Sequence, residues 1–264
     1  MAEITTGDGF TIHYEIEGRA EGPPLVFSNS LGTNLHMWDA QAKEAAGLGF
    51  RVIRYDQRGH GESEAPAGGY TLKRLAEDVI DLLDALEIEK TSFVGLSMGG
   101  MTGMRLAKNY PRRFARVALC NTAAFMPPKD LWDARIKSVT DGGMESVVDA
   151  VVERWFTPGF RQKELEEVKR IRAQILNTKP AGYAGCCAAI RDMDERDFLG
   201  TIEAPVLVVI GAQDPATTPE KGEYVAGNIP GAQKVVLDAA HLSNIERPEE
   251  FNRTVFGFLA GGKS

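Results

Sequence analysis

Hydrophobic residues along the chain fall into short runs that are typical of strands buried in a sheet. Residues 10–17 differ, because apolar and polar side chains alternate strictly there and Phe10, Ile12, Tyr14 and Ile16 share one face. This alternation predicts a half-solvated strand that suits an antiparallel addition to a sheet. The later runs do not alternate, which predicts strands covered on both faces. They occupy residues 25–27, 51–55, 92–95, 115–120 and 206–211.

Helical patterns separate these runs. The clearest covers residues 72–86, where seven apolar side chains keep one face at i, i+3, i+4 and i+7 spacing. A short strand at residues 234–237 and a helix at 249–259 are predicted near the end of the chain. Strands that alternate with helices require crossover connections, so we predict an α/β fold with a mainly parallel, twisted sheet and helices on both faces.

The alternation stops between about residues 124 and 200. We find no convincing strand pattern there, and amphipathic helical stretches follow one another, including the charged run at residues 162–175. We interpret this segment as an inserted helical cap. The predicted organisation is a core built from residues 1–123 and 201–264, with the cap at 124–200 between its two parts.

Composition narrows the class of protein. The 264 residues are 43% hydrophobic and 25% charged, as in ordinary globular proteins. The net charge of −7, with no basic cluster, disfavours nucleic acid as a partner. Cys120, Cys186 and Cys187 include no CxxC pair, so neither a disulfide framework nor a thiolate metal site is indicated. The acidic start and the lack of a long apolar stretch predict a cytoplasmic protein without a membrane segment.

A candidate nucleophile lies in the sequence Gly95-Leu96-Ser97-Met98-Gly99-Gly100. It follows the apolar run at residues 92–95 and opens a helical stretch. A strand-to-helix turn of the G-x-S-x-G type needs small neighbours so that its strained serine projects the hydroxyl. A plain structural turn is the alternative, and the flanking strand and helix favour Ser97 as a nucleophile.

Four histidines compete for the role of general base. His241 follows the strand predicted at residues 234–237, at the end where open parallel sheets collect their ligands. His13 lies on the polar face of the first predicted strand, and we expect it at the surface. His36 and His60 lie in loops, where a histidine more often makes hydrogen bonds to the chain. His241 is therefore the candidate base.

Asp214 is the candidate acid that would orient His241 and stabilise its imidazolium form. It leaves the predicted strand at residues 206–211 at its carboxyl end. Asp238 is closer to His241 in sequence, but it starts the loop after its own strand and is the weaker candidate. The chain order Ser97, Asp214, His241 is the order of the α/β-hydrolase triad.

Two backbone N–H groups are candidates for an oxyanion hole. One belongs to Met98, directly after the nucleophile, and the other to Leu31, in the loop SNSLGTN. A plain polar turn is the alternative for this loop. Gly32 and the position of the loop after a strand favour the oxyanion role.

Seven segments resemble the 3-oxoadipate enol-lactonases, a branch of the α/β-hydrolases. They are VFSNSLGTNLHMWD, YDQRGHGES, FVGLSMGGMTG, CNTAAF, AIRDMDERD, VIGAQDPATTP and AAHLSNIERPEEF, and they span nearly the whole chain. The triad motifs are shared by the superfamily, whereas SNSLGT and CCAAIRDMD are similar to the lactonases in particular. SNSLGT replaces the HG-x-G loop that is common elsewhere in the superfamily.

The resemblance implies that a serine hydrolase opens 3-oxoadipate enol-lactone to 3-oxoadipate, in the β-ketoadipate pathway, with no metal or organic cofactor. The lactone carries an anionic acetate arm, which a chain of net charge −7 does not attract through its overall field. A local cation is therefore needed. The cap offers Trp132, Arg135 and Arg191 as substrate-binding candidates; the alternatives are a core aromatic for Trp132 and a surface ion pair for each arginine.

Other interpretations of the same core stay open at this point. A broader carboxylesterase or another lactonase would use the same triad with a different pocket, and a C–C bond hydrolase shares the fold. A non-enzymatic ligand receptor is disfavoured by the intact Ser97, Asp214 and His241 set. The sequence does not fix the oligomeric state, and a homo-oligomer is among the alternatives.

Overall fold

One sheet organises the molecule. A computed structural model describes residues 2–261, and within them eight strands pair in the order β1-β2-β4-β3-β5-β6-β7-β8. Strand β2 runs antiparallel to β1 and β4, and every other pairing is parallel. The strands are β1 (Ala2–Thr5), β2 (Thr11–Gly18), β3 (Pro24–Ser28), β4 (Arg51–Tyr55), β5 (Thr91–Leu96), β6 (Phe114–Cys120), β7 (Val206–Gly211) and β8 (Gln233–Leu237).

Most helices alternate with strands along the chain and cover the sheet. Five others follow one another between β6 and β7 and form a separate group. They are α1 (Asp39–Gly47), α2 (Leu72–Ala85), α3 (Met98–Asn109), α4 (Lys129–Gly142), α5 (Val148–Trp155), α6 (Pro158–Lys163), α7 (Leu165–Asn177), α8 (Pro180–Asp192), α9 (Pro219–Asn228), α10 (Ser243–Glu246) and α11 (Pro248–Leu259). Helix α2 begins where Thr71 caps it, because the Thr71 hydroxyl accepts the Arg74 N–H at 3.1 Å. Helix α1 packs against α11, and α2 packs against α3.

Burial along the central strands explains why their sequences do not alternate. All six residues of β7 are buried, and successive side chains of a strand point to opposite faces. Both faces at the centre of the sheet are therefore covered by helices, as predicted. The predicted α/β fold with a mainly parallel sheet is confirmed.

The structure differs from the prediction for the first strands in three respects. The sequence pattern does not predict strand β1, which pairs antiparallel with β2 at the edge of the sheet. His13, expected at the surface, is 3% exposed, because the turn after β4 packs there and Ser63 accepts the His13 N–H. Ile16, expected on the apolar face, is 41% exposed.

Helices α4 to α8 form an insertion between the neighbouring strands β6 and β7. They lie within the predicted cap at residues 124–200, and a break at Glu164 divides the charged run into α6 and α7. The domain limits at 123/124 and 200/201 stay a prediction. In the part of the chain that the structure describes, no helix has both the length and the apolar surface that a membrane crossing requires.

Candidate active site

Ser97 occupies the sharp turn between β5 and α3. Its backbone lies at φ 58° and ψ −113°, in a region that a side-chain-bearing residue adopts only under strain. Two hydrogen bonds hold this conformation: the Ser97 N–H donates to the Cys120 carbonyl at 2.9 Å, and the Thr122 hydroxyl donates to the Ser97 carbonyl at 2.8 Å. The turn therefore has the strand-to-helix geometry of a nucleophile elbow.

The glycines around Ser97 are required by close backbone contacts. A Cβ atom on Gly95 would lie 2.2 Å from the Gly99 carbonyl oxygen, and one on Gly99 would lie 2.2 Å from the Ser28 carbonyl oxygen. No side chain fits at either distance. The G-x-S-x-G spacing thus lets α3 start directly against the ends of β3 and β5.

Asp214 and His241 meet at the carboxyl ends of two paired parallel strands. Asp214 follows β7 and His241 follows β8, so the sheet brings them to the same edge. His241 Nδ1 lies 2.8 Å from Asp214 Oδ2, and both side chains are almost fully buried. With Nδ1 bonded to the carboxylate, Nε2 is the ring nitrogen available to accept a proton.

The Asp214 carboxylate is surrounded by donors. Oδ1 accepts the N–H groups of Ala216 and Thr217 at 2.8 and 3.0 Å, while Oδ2 accepts the Thr217 hydroxyl at 2.7 Å and the Asn121 amide at 3.1 Å. Burial alone would raise the pKa of Asp214, but the adjacent His241 and these hydrogen bonds outweigh it and hold that pKa below its usual value. The acid is therefore ionised and fixed in direction.

Asp238, the weaker candidate acid, lies elsewhere. Its side chain is 70% exposed and accepts hydrogen bonds from Gln213 at 2.7 Å and Arg247 at 3.0 Å. The structure thus pairs His241 with Asp214 and places Asp238 in a surface cluster.

The two candidate oxyanion donors have unused N–H groups. Within residues 2–261, no protein acceptor bonds the backbone N–H of Leu31 or of Met98. The groups beside them are bonded: Gly32 N–H to His60, Ser97 N–H to Cys120 and Gly99 N–H to the Asn29 carbonyl at 3.0 Å. This pattern leaves two preorganised donors for an incoming oxygen.

A cavity of about 250 Å³ connects these groups to the cap. Ser97, Leu31 and His241 line its floor, and side chains of the cap line the rest. The cap contributes both apolar groups and cations, among them Met126, Leu131, Trp132, Arg135, Val151, Arg154, Trp155, Tyr183 and Ile190. Its volume suits a small substrate.

Two arginines of this cavity have no acidic partner. Among the described residues, no carboxylate lies within 4.0 Å of the guanidinium of Arg135 or of Arg154. Arg135 stacks on Trp132, with its Cζ atom 4.9 Å from the ring centroid, and the Trp132 indole donates to the Met126 carbonyl at 2.9 Å. Burial is the main cause that lowers the pKa of Arg154 from its usual value, and repulsion from Arg135 lowers it further. A bound anion would relieve that repulsion.

Arg191, the third cap residue proposed from sequence, lies outside this cavity. Its guanidinium forms ion pairs with Asp133 at 2.7 Å and Asp192 at 2.6 Å, and it borders a separate surface cavity. Trp132 and Arg135 thus line the same cavity as Ser97, whereas Arg191 does not. Sequence cannot distinguish them, because the partner of each arginine depends on how α4 packs against α8.

Several residues of the site were missed from the sequence. Arg154 and Trp155 end α5, and the Trp155 ring stacks on the His241 ring at a centroid distance of 6.0 Å. Asn121 directly follows β6 and so lies at the same sheet edge as Ser97 and Asp214, whose carboxylate it bonds. That position after a buried strand was the available signal.

The cap is tied to the loop that carries His241. The Glu246 carboxylate accepts the Ala240 N–H at 2.8 Å and the Thr157 N–H at 3.1 Å, and it also bonds the Thr157 hydroxyl. The Leu242 N–H donates to the Trp155 carbonyl at 3.1 Å. Thr157 and Trp155 belong to the cap, so the base and the cap share one set of hydrogen bonds.

The fold and this site define an α/β-hydrolase. Residues 23–160 and 156–248 match the alpha/beta hydrolase fold family, and the chain belongs to that family. No group of three histidine, cysteine or acidic side chains clusters as metal ligands anywhere between residues 2 and 261.

Among its relatives, the chain is 42% identical to 3-oxoadipate enol-lactonase 2 of Acinetobacter baylyi, over 96% of this chain and 94% of the relative. It is 40% identical to 3-oxoadipate enol-lactonase 1 of the same organism, over 97% and 96%. The crystal structure of the enol-lactonase from Burkholderia xenovorans LB400 matches with a TM-score of 0.96 at 43% identity, covering 98% of this chain and all of that one. The resemblance inferred from the motifs is confirmed.

Proposed function

We propose that this protein hydrolyses 3-oxoadipate enol-lactone to 3-oxoadipate through an acyl-enzyme on Ser97. The observation that carries the proposal is one cavity that joins Ser97 and His241 to the guanidinium groups of Arg135 and Arg154, which have no acidic partner among the described residues. Hydrolysis of an anionic lactone needs a nucleophile and a base at the ring carbonyl and a cation at the carboxylate, and this cavity contains all three. Similarity to the two Acinetobacter enol-lactonases along nearly the full chain supports the same substrate.

In the first half of the reaction, His241 Nε2 takes the Ser97 hydroxyl proton while Oγ attacks the lactone carbonyl carbon. The carbonyl oxygen becomes an oxyanion that accepts the N–H groups of Leu31 and Met98. Collapse of this intermediate breaks the ring C–O bond and expels an enolate. The enolate takes the proton from His241 and rearranges to the ketone, which leaves the acyl group on Ser97.

In the second half, a water molecule takes the position beside His241 that the enolate oxygen occupied, while the new ketone stays attached to the acyl chain because the leaving group of a lactone is tethered to its carbonyl carbon. His241 takes one water proton while the oxygen attacks the acyl carbon, and the same two N–H groups stabilise the second oxyanion. Collapse breaks the bond to Ser97 Oγ, which recovers the proton from His241. Asp214 stays ionised throughout and stabilises the imidazolium in both halves.

Arg135 and Arg154 would bind the carboxylate of the acetate arm. Guanidinium groups bind carboxylates through charge-assisted hydrogen bonds, and these two lack another acidic partner in the described structure. Trp132 supports Arg135 by a cation–π contact. The cap thus supplies a local positive field that the net charge of −7 does not.

We also infer a cytoplasmic location. Cys120, Cys186 and Cys187 are buried free thiols, which fits a reducing compartment.

The test compares an anionic and a neutral substrate. Arg135→Met and Arg154→Met keep much of the side-chain bulk but leave the carboxylate without its partner, at a cost of about 2 to 5 kcal/mol. We expect kcat/KM for the enol-lactone to fall about 30-fold or more in each variant. Hydrolysis of 4-nitrophenyl acetate, which has no carboxylate, should change by less than about threefold.

Arg191→Met is the matched control, because Arg191 is a cap arginine that is already ion-paired outside the cavity. It should leave both activities unchanged. Equal losses on both substrates in the Arg135 and Arg154 variants, or no loss on either, would contradict carboxylate binding at this site. Equal kcat/KM values of the wild-type enzyme for the enol-lactone and neutral esters would favour a broad carboxylesterase.

A further inference from the structure

The turn that follows β4 contains a histidine that the proposed reaction does not use. His60 is fully buried, and its Nε2 accepts the Gly32 N–H at 2.8 Å. Its other ring nitrogen, Nδ1, lies 3.2 Å from the Arg58 carbonyl. Since that carbonyl can only accept, the proton is on Nδ1 and the Nε2 lone pair faces Gly32.

Burial keeps the ring in this neutral form. It lowers the pKa of His60 to about 4, although the hydrogen bond to the Arg58 carbonyl opposes this shift. A protonated ring would present a second N–H to the Gly32 N–H and would break the bond. At neutral pH, His60 is therefore a permanent acceptor.

Gly32 directly follows Leu31, whose N–H is one of the two unused donors beside Ser97. The loop is held on both sides of that donor. The Ser30 N–H bonds Met37 Sδ at 3.3 Å, and the Gly32 N–H bonds His60. Gly32 adopts φ +85°, which other residues rarely tolerate, so its two peptide planes are set by local geometry and by the His60 bond.

We propose that His60 is a positioning residue for the oxyanion hole, which holds the Leu31 N–H toward the reacting carbonyl oxygen by accepting the N–H of Gly32. The inference rests on the serine mechanism of the proposed function. It does not depend on which ester or lactone is the substrate.

The turn around His60 is rigid enough for this role. Arg58 is held by buried Asp78 at 2.7 Å and by Asp8 at 2.7 Å. Asp56 accepts the Leu35 N–H at 2.8 Å, which ties the turn to the far end of the same loop. Gly59 lies against Gly182 of α8, so the cap closes the turn from the other side. A positioning group needs such support from its surroundings.

Two substitutions separate the hydrogen bond from the bulk of the ring. His60→Gln places an amide oxygen near the Nε2 position and keeps an acceptor for Gly32. His60→Leu fills the space and removes the acceptor. We expect His60→Leu to lower kcat for 4-nitrophenyl acetate about 10- to 100-fold with little change in KM. This fall in kcat is smaller than the one expected when an oxyanion-hole donor is removed outright. His60→Gln should stay within about threefold of the wild-type enzyme.

A boronic acid provides a readout that a merely structural role would not move. Phenylboronic acid forms a tetrahedral adduct with an active-site serine and places an oxygen in the oxyanion hole. Its Kd should rise in His60→Leu by the same factor as kcat falls and should be restored in His60→Gln. His13→Leu is the matched control, because His13 is also a buried histidine but has no bond to this loop.

Three results would overturn the inference: an unchanged kcat in His60→Leu, equal losses in the Gln and Leu variants, or a boronate Kd that does not follow kcat. If His60→Leu does not fold, His60→Asn replaces it, because its shorter amide does not reach Gly32. Because both probes are neutral, failure of enol-lactone hydrolysis would leave this test intact.

Discussion

At the scale of single residues, Ser97 and His241 handle the same proton in the proposed chemistry. Ser97→Ala and His241→Ala should each lower kcat by about 10⁴-fold or more, and the double variant should be little worse than either. The reason is that removing one member already abolishes the step that needs the other. Steady-state kinetics of the three variants test this, and near-additive losses would contradict the assignment.

Asp214 and Asp238 allow a matched comparison of two acids near His241. Asp214→Asn keeps the shape of the side chain but favours the wrong imidazole tautomer, so kcat should fall about 10⁴-fold. Asp238→Asn should have little effect, since Asp238 is exposed and bonded to Arg247. Circular dichroism would show whether both variants are folded. A large loss in Asp238→Asn alone would move the acid to that position.

The triad residues could be predicted from sequence because each follows a strand of the parallel part of the sheet. Ser97 follows β5, Asp214 follows β7 and His241 follows β8, so the topology alone predicts that they meet. No comparable rule predicts which residues of the cap line the cavity. Whether Arg154 or Arg191 lines the cavity depends on which acidic side chains neighbouring helices present, and that is set by tertiary packing.

At the scale of secondary-structure elements, the contact between Gly59 and Gly182 fixes helix α8 against the core. A Cβ atom on Gly182 would lie 2.1 Å from the Gly59 carbonyl oxygen. Gly182→Ala should therefore displace α8 and lower the free energy of unfolding by about 1 to 3 kcal/mol, as overpacking does. Urea unfolding measures this, and kcat/KM for the enol-lactone should fall as the cavity changes shape.

Gly159→Ala in α6 is the control for that substitution. Nothing lies within 4 Å of a Cβ atom at Gly159, so alanine should be neutral or slightly stabilising there. Equal stability of the Gly182 and Gly159 variants would show that α8 does not depend on the close contact.

Element prediction succeeded where one physical cue dominated. The 72–86 pattern gave α2 within one residue, because a single apolar face packs on the sheet. Strand β1 is short and mostly exposed, so its sequence has no apolar run. Burial of His13 follows from the turn after β4, which is distant in sequence. Such contacts between separate parts of the chain leave no local pattern.

At the scale of the whole molecule, His60 links stability to pH. Its pKa is about 4 in the folded protein against 6.5 for an ordinary histidine, so the unfolded chain binds the proton first. Stability is therefore lost as the pH falls from about 6.5 to 4. The folded protein should be about 2 kcal/mol less stable at pH 5 than at pH 7.5 through this group.

His60→Gln lacks this titration, and its stability should change less over the same range. The difference between the two proteins cancels the contributions of other groups, such as Asp56, whose pKa is raised by burial. Urea unfolding of the wild-type protein and of His60→Gln at pH 5 and 7.5 gives the four free energies of unfolding that the comparison needs. An equal pH effect in both proteins would show that another group is responsible.

The hydrogen bonds that join Trp155 and Thr157 to the segment 240–246 have a consequence for engineering and for divergence in this family. The cap and the base are not independent modules. A chimera that exchanges helices α4 to α8 alone would leave Glu246 without its cap partners. The backbone at Leu242 would also lose its hydrogen bond to the Trp155 carbonyl. Recombination that changes the substrate while keeping turnover should therefore exchange both segments together, although Thr157 and its partner Glu246 lie 89 residues apart along the chain.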